Sequence, residues 1–345
     1  MQLAEKVTNE RIISLDIIKI LAAFMVIIYH FRAMDFGFVE NQFYFPNLNK
    51  LCLGFCAMSV PLFFMVNGKL MLDKESKFRY FLLKSIKVLG LYIFWMFFMK
   101  FIASILFKVD IIETSSSVTL HLWFLRTLSI LYFLCFFLKK FYNNKILFGI
   151  ICVLLIIFPF GYNYFLIVCK YNHIPFFERM DRTGFFTMYS ILYYFAGKFL
   201  FDICYKLHNM KLYRFFEIGS IVFGWILLNA EVVLWTNLNN KLFDGVNASF
   251  PTLGTLFMAL GTFSLLCRIK NVKNIRVKKI ICFLSGNIMG VYLLHPIVIV
   301  FIKKVITCKM NIVQVSALAI FVMVLSAMIT SIIKKIPMIK SIFKI

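Results

Sequence analysis

Lys19 and His30 stand eleven residues apart in one apolar stretch. That is almost three whole turns of an α-helix, so the two share a face, separated by about 16 Å along the axis. Asp16, three residues before Lys19, falls on the same face. A charge at the centre of a spanning helix costs about 2.5 to 3.5 kcal/mol, so each of these groups needs a partner or a task. Asp16 and Lys19 could simply snorkel to the inner interface. His30 is harder to assign to structure alone, because His121 opens the fourth apolar segment and His295 lies in the outward half of the ninth. The three imidazoles are expected to converge near the outer membrane face. Imidazole accepts and returns a proton near neutral pH, so a histidine in a semi-dry cavity can activate a hydroxyl. Glu231, in the outward half of the seventh segment, could orient a histidine, relay a proton, or sit at the interface as a plain carboxylate. His173 and His208 fall in loops and read as structural.

Other chemistries lack their motifs. The chain contains no HExxH, no paired-carboxylate cluster, no GxSxG and no P-loop, so metal or serine-elbow hydrolysis and nucleotide-driven transport have no support, and no metal site is expected. The nine cysteines are scattered through apolar segments, and Cys52 and Cys56 lack CxxC spacing; they read as small hydrophobes. No cleavage site follows the first apolar run, so that helix is expected to stay in the protein. Asn247-Ala248-Ser249 fits a glycosylation pattern too short to carry weight.

The elements that must position these residues are membrane helices. Of 345 residues, 62% are hydrophobic and 15% charged, and the mean hydropathy is +0.88, well outside the range of soluble domains. A span needs about 20 apolar residues. By that measure an all-α integral membrane bundle of about ten helices is expected, centred near residues 22, 62, 95, 128, 155, 193, 226, 260, 291 and 322. It forms a single domain over 1–345, without an appended soluble domain or an evident internal repeat.

The net charge of +23 does not call for nucleic acid, because Lys and Arg crowd the short gaps at residues 69–87, 139–145, 198–214 and 268–279 rather than one face. Positive-inside sorting accounts for them and places both termini in the cytoplasm. The short basic connections suit contact with anionic lipid headgroups or a phosphorylated cytosolic ligand. The longest polar intervals, about 32–50, 168–183 and 237–251, then lie outside, where they could handle an external substrate.

With those motifs in place, the chain resembles the integral-membrane acyltransferase family 3 over nearly its whole length. Lys19, ten intervening residues and His30 are similar to that family's Arg/Lys-x10-His signature. Ser59 to Gly68 resembles its V-P-L-F-F-x-x-S-G segment, with Asn67 where Ser is usual. His121-Leu122-Trp123-Phe124-Leu125 resembles the start of its fourth helix, and Tyr292-Leu293-Leu294-His295-Pro296 its Y-L-x-H-P segment. Before the third helix the family tends to an Arg-rich run and a proline, where this chain has Lys84, Lys87 and Gly90-Leu91-Tyr92. Gly286-x3-Gly290 reads as close helix packing.

The resemblance implies transfer of an acyl group, most often acetyl, from cytoplasmic acyl-CoA (acetyl-CoA) to a hydroxyl of a cell-envelope glycan or lipid-linked sugar. His30 would be the base or carry the acyl group briefly. His121 and His295 would orient the acceptor or stabilise the oxyanion, and Lys19, Lys84 and Lys87 would hold the donor's phosphates. Asp16, Asn67, Trp123, Tyr292 and Glu231 would support them. Composition rich in Phe, Ile, Lys and Asn points to a bacterial cytoplasmic membrane. The rival expectation is an exporter or flippase of a glycan intermediate, which a polar interior would also suit.

Overall fold

The computed structural model describes residues 11–31, 52–107, 119–174, 188–207, 210–239, 251–306 and 310–336. Asn247, His208, the expected outer loops at 32–50 and most of those at 168–183 and 237–251 lie outside these residues. Of the described residues 89% are helical and none lies in a strand, so the backbone groups of every span are satisfied within its own helix, as a bilayer demands.

Twelve helices follow in order: α1 (Ile13–Phe31), α2 (Ser59–Leu72), α3 (Phe78–Phe107), α4 (Trp123–Asn143), α5 (Lys145–Leu155), α6 (Tyr162–Tyr171), α7 (Met188–Leu207), α8 (Lys211–Asn239), α9 (Leu253–Cys267), α10 (Ile275–Gly286), α11 (Ile288–Val305) and α12 (Ile312–Ile333). A π-helical turn containing Pro159, whose ring cannot donate to the helix ladder, joins α5 to α6 in one apolar run. Among the described residues seven helical stretches are long and apolar enough to cross a membrane, where the sequence leads one to expect about ten. The three others have physical reasons to fall short of that measure: α9 is apolar but has 15 residues, α4 carries Arg126, Lys139 and Lys140, and α7 carries Lys198, Asp202 and Lys206. The chain is an all-α, multi-pass membrane protein.

α1 and α2 form the centre. They are the most buried of the spans, at 61% and 78% of their apolar windows, whereas α3, α5–α6 and α8 bury only 22–28% and turn their apolar faces outward. α1 packs against α2, α10, α11 and α12; α2 lies along α7, α3 along α4 and α8 along α9.

The α2–α7 pair carries a short repeat that no fixed period in the sequence announces. Gly68-Lys69 is followed by Asp73, and Gly197-Lys198 by Asp202 at the same spacing. A Cβ on Gly68 would stand 1.9 Å from the Tyr194 carbonyl oxygen, and one on Gly197 would stand 1.9 Å from that of Met65, so the two backbones touch and only glycine fits. One turn later the charges interlock. Lys69 Nζ reaches Asp73 at 2.6 Å and Asp202 at 3.2 Å, while Lys198 Nζ reaches Asp202 at 2.8 Å and also binds Asp73. Burial alone would raise the Asp73 carboxyl, but hydrogen bonds and charge from Lys198 and Lys69 outweigh it and hold Asp73 below its ordinary value. The cross-bridges Lys69–Asp202 and Lys198–Asp73, taken with the Gly68–Tyr194 and Gly197–Met65 contacts, fit one register only if the two helices run the same way. Gly290 is likewise a packing glycine, its Cβ position filled by Thr330 of α12, whereas a Cβ on Gly286 would meet only Arg11 Nη2, at 3.8 Å.

Candidate functional site

At the N-terminal end of α1, the Asp16 carboxylate is 3% exposed and accepts three hydrogen bonds. Lys19 Nζ donates at 2.8 Å, Ser285 Oγ of α10 donates at 2.5 Å, and Arg11 Nε donates to the second oxygen. Arg11 also reaches the Cys282 carbonyl at 2.9 Å, and Lys334 reaches the Gly286 carbonyl at 2.7 Å and Asn287 Oδ1 at 3.1 Å. The break between α10 and α11 is therefore held by cations on the last-turn carbonyls of α10, the end of a helix that favours positive charge. Burial lowers the Lys334 ammonium below its ordinary range.

Lys19 does more than steady Asp16. It lines a cavity of about 200 Å³ that also takes in Asn67, Phe124, Tyr132, Ser285 and Tyr292. Asn67, where the related segment usually has serine, donates to the Phe63 carbonyl at 2.8 Å and accepts from the Tyr132 hydroxyl at 2.7 Å. The amide thus fixes a phenol in the wall of the cavity.

Tyr292 marks the other end. Its ring lines the cavity, and its hydroxyl donates to the backbone carbonyl of His121. His121 lies in the 3-10 turn Leu120–Leu122 that leads into α4, with its ring centroid 5.2 Å from that of Tyr292. The His30, His121 and His295 rings stand together, with centroids 5.1 Å apart for His30–His295, 5.3 Å for His121–His295 and 6.2 Å for His30–His121. Three elements distant in sequence, α1, the 3-10 turn before α4 and α11, each contribute one imidazole. His295 is fully buried and His121 is 5% exposed, whereas His30 is partly exposed. Lys303 Nζ approaches the His30 carbonyl at 3.4 Å, so a cation caps the C-terminal end of α1.

The remaining expected residues distribute unevenly. Trp123 begins α4 and packs, partly buried, against the core. Lys84 of α3 points at Met71 Sδ at 3.2 Å and lies 4.9 Å over the Tyr132 ring, which places it behind the cavity wall. Lys87 is exposed on α3, away from the cavity lining. Glu231 is buried but belongs elsewhere. Among the described residues its hydrogen bonds come from the Tyr164 hydroxyl of α6 and the Gly254 N–H at 3.4 Å, so it ties α6 and α8 to the start of α9 rather than orienting a histidine.

Sequence reasoning missed Arg11, Ser285 and Tyr132. Tyr132 had a signal: it stands eleven residues after His121, the spacing that links Lys19 to His30. Arg11 stands only five residues before Asp16, but Ser285 had no signal, since only the fold brings it to that carboxylate.

The arrangement is a polar path through an apolar bundle, with a cation-lined cavity at one end and three imidazoles at the other. Such a site can receive an anionic ligand from the inner side and present its distal end to a proton-accepting group. A family model described as an acyltransferase domain matches residues 12–333. Searches of curated proteins and of solved structures return no match.

Proposed function

Because the chain belongs to acyltransferase family 3, we propose that it moves an acyl group, acetyl first among the candidates, from cytoplasmic acyl-CoA to a hydroxyl of a cell-envelope polysaccharide or lipid-linked sugar. The convergence of His30, His121 and His295 beside Tyr292, which lines the same cavity as Lys19, carries this reading. Donor phosphates would rest at the basic inner mouth by Lys19 while the pantetheine arm extends along Asn67, Tyr132 and Tyr292 toward the histidines. Partly exposed His30 is the general base: it takes the proton of the acceptor hydroxyl as the oxygen attacks the thioester carbonyl, and returns it to the departing thiolate. Lys84, behind Tyr132, contributes positive potential to the wall, whereas exposed Lys87 is left to the membrane surface.

This reading places the chain in a bacterial cytoplasmic membrane as one domain of ten spans, with both termini in the cytoplasm. The parallel course of α2 and α7 supports that count, since it needs an odd number of crossings between them, and α3, α4 and α5–α6 supply three.

Purified protein in liposomes, given acetyl-CoA labelled on the acetyl group and an envelope-glycan acceptor, tests the proposal. Label should appear on the glycan with release of free CoA. Movement of the glycan across the bilayer without CoA release would establish the exporter reading instead.

A further inference from the structure

Within α11, His295 is followed by Pro296. Proline has no N–H, so the carbonyl of Tyr292, four residues earlier, loses its helical donor. The imidazole of His295 turns back along its own helix to serve this stretch of backbone. Its Nδ1 lies 3.1 Å from the Val291 carbonyl oxygen, and the Tyr292 carbonyl is also among its hydrogen-bond partners. A carbonyl can only accept, so Nδ1 must carry the proton. In a neutral imidazole the other nitrogen, Nε2, is then a bare lone pair. Nε2 of His295 is buried and has no hydrogen-bond partner among the described residues. A buried acceptor left without a donor costs on the order of 1–3 kcal/mol, which marks it as held for use. Centroid to centroid, the His295 ring lies 5.1 Å from that of His30 and 5.3 Å from that of His121.

We infer that His295 is the positioning residue for His30: a turn of the partly exposed His30 ring as the acceptor binds brings one of its N–H groups to the waiting Nε2, and that hydrogen bond fixes the tautomer whose other nitrogen presents its lone pair to the acceptor hydroxyl. This rests on the acyl-transfer reading. In the reaction the hydroxyl O–H breaks toward His30, the new C–O bond forms, the thioester C–S bond breaks, and His30 gives its proton to the sulfur. His295 exchanges no proton; it accepts one hydrogen bond, which strengthens while His30 is cationic. A soluble enzyme gives this task to a carboxylate, as in the serine-protease triad. At this depth a carboxylate would bring the insertion cost of a charge, and a backbone-locked neutral imidazole supplies the same acceptor without it. His30, the partly exposed ring, meets substrate; His295, wholly buried, stands behind it.

Histidine tautomers have distinct 15N chemical shifts, so ring-15N-labelled protein in lipid reports both residues directly. The expected spectrum has His295 protonated at Nδ1 alone and, with the envelope-glycan acceptor added, His30 in a single tautomer. In His295→Phe, His30 should lose its single tautomer and turnover should fall by about 10²-fold or more, at the low end of what general-base catalysis contributes, with KM for acyl-CoA unchanged. His295→Gln places an amide oxygen near the position of Nε2 and should recover part of that loss. A His295 protonated at Nε2 overturns the inference on wild-type protein alone, whether or not any variant folds. A His30 tautomer unmoved in His295→Phe also overturns it. Absence of transfer by wild-type protein would instead count against the acyltransferase reading, leaving the tautomer result to stand or fall separately.

Discussion

Two polar clusters interrupt the apolar interior, and they treat their groups in opposite ways. Where α2 meets α7, Lys69, Asp73, Lys198 and Asp202 close into a ring in which every charge touches two of opposite sign. At the C-terminal end of α1 three imidazoles stand together, and at least one nitrogen, Nε2 of His295, has no hydrogen-bond partner among the described residues. The ring is what a bundle needs to fix the register of two helices. The histidines hold an unsatisfied acceptor that helps the fold not at all. Polar groups that are fully satisfied read as structure, and those left incomplete read as chemistry.

That contrast fixes what substitutions should do: changes in the clasp alter stability and leave turnover per folded molecule intact, and changes near the histidines do the reverse. The largest effect on folding is expected from Gly197→Val, whose side chain has no space beside Met65. It should destabilise by about 3 kcal/mol, the upper part of the overpacking range, read as a large drop in the unfolding temperature in detergent; a protein that melts like wild type would refute the backbone contact.

Asp202→Asn leaves Lys69, 7% exposed, with Asp73 as its remaining carboxylate. A loss of about 1–2 kcal/mol is expected, moderated because Asp202 is partly solvated, with acyl transfer per folded molecule unchanged. A turnover defect here would break the division between the clusters.

Tyr292→Phe removes the donor to the His121 carbonyl while preserving cavity shape. Turnover should fall about fivefold, the equivalent of one net hydrogen bond of about 1 kcal/mol, with the melting temperature nearly unchanged. An equal fall in stability and no change in rate would move Tyr292 to the structural side.

The smallest effect is a pH dependence. The folded-state pKa of Asp73 is held below its ordinary 3.8, so its contribution to stability is fully present above that unfolded value and is lost as pH falls through the lower folded one. Melting temperatures of wild type and Asp73→Asn, measured downward from neutral pH, should differ by a constant amount until about pH 4 and converge below it. Convergence already at pH 6 would contradict the ring.

The all-helical membrane fold was legible because a bilayer leaves few options and apolar length declares itself. The meeting of three histidines was legible too: charge asymmetry in the loops orients the helices, and orientation sets each histidine's depth. Partners set by contacts between distant helices were not. Ser285 meets Asp16, and Glu231 turns to Tyr164 and Gly254 instead of a histidine, through packing that no local pattern encodes. The Gly-Lys-x3-Asp pair lies between these cases: two matches of three letters pass for chance until the backbones are seen to touch. Lys19 pairs with Asp16 and also lines the cavity, so the structure leaves it placed for the donor-holding role that we propose.

The central claim is that the histidine cluster is where the acyl group changes hands, and His30→Ala tests it most directly. The variant should be expressed in a producing strain at a protein level matched to Asp202→Asn and to wild type, and envelope acylation scored alongside the melting temperature of each purified protein. The account predicts acylation by His30→Ala lowered by about 10²- to 10⁴-fold at near wild-type stability, and Asp202→Asn less stable but active. Unchanged acylation in His30→Ala would contradict it.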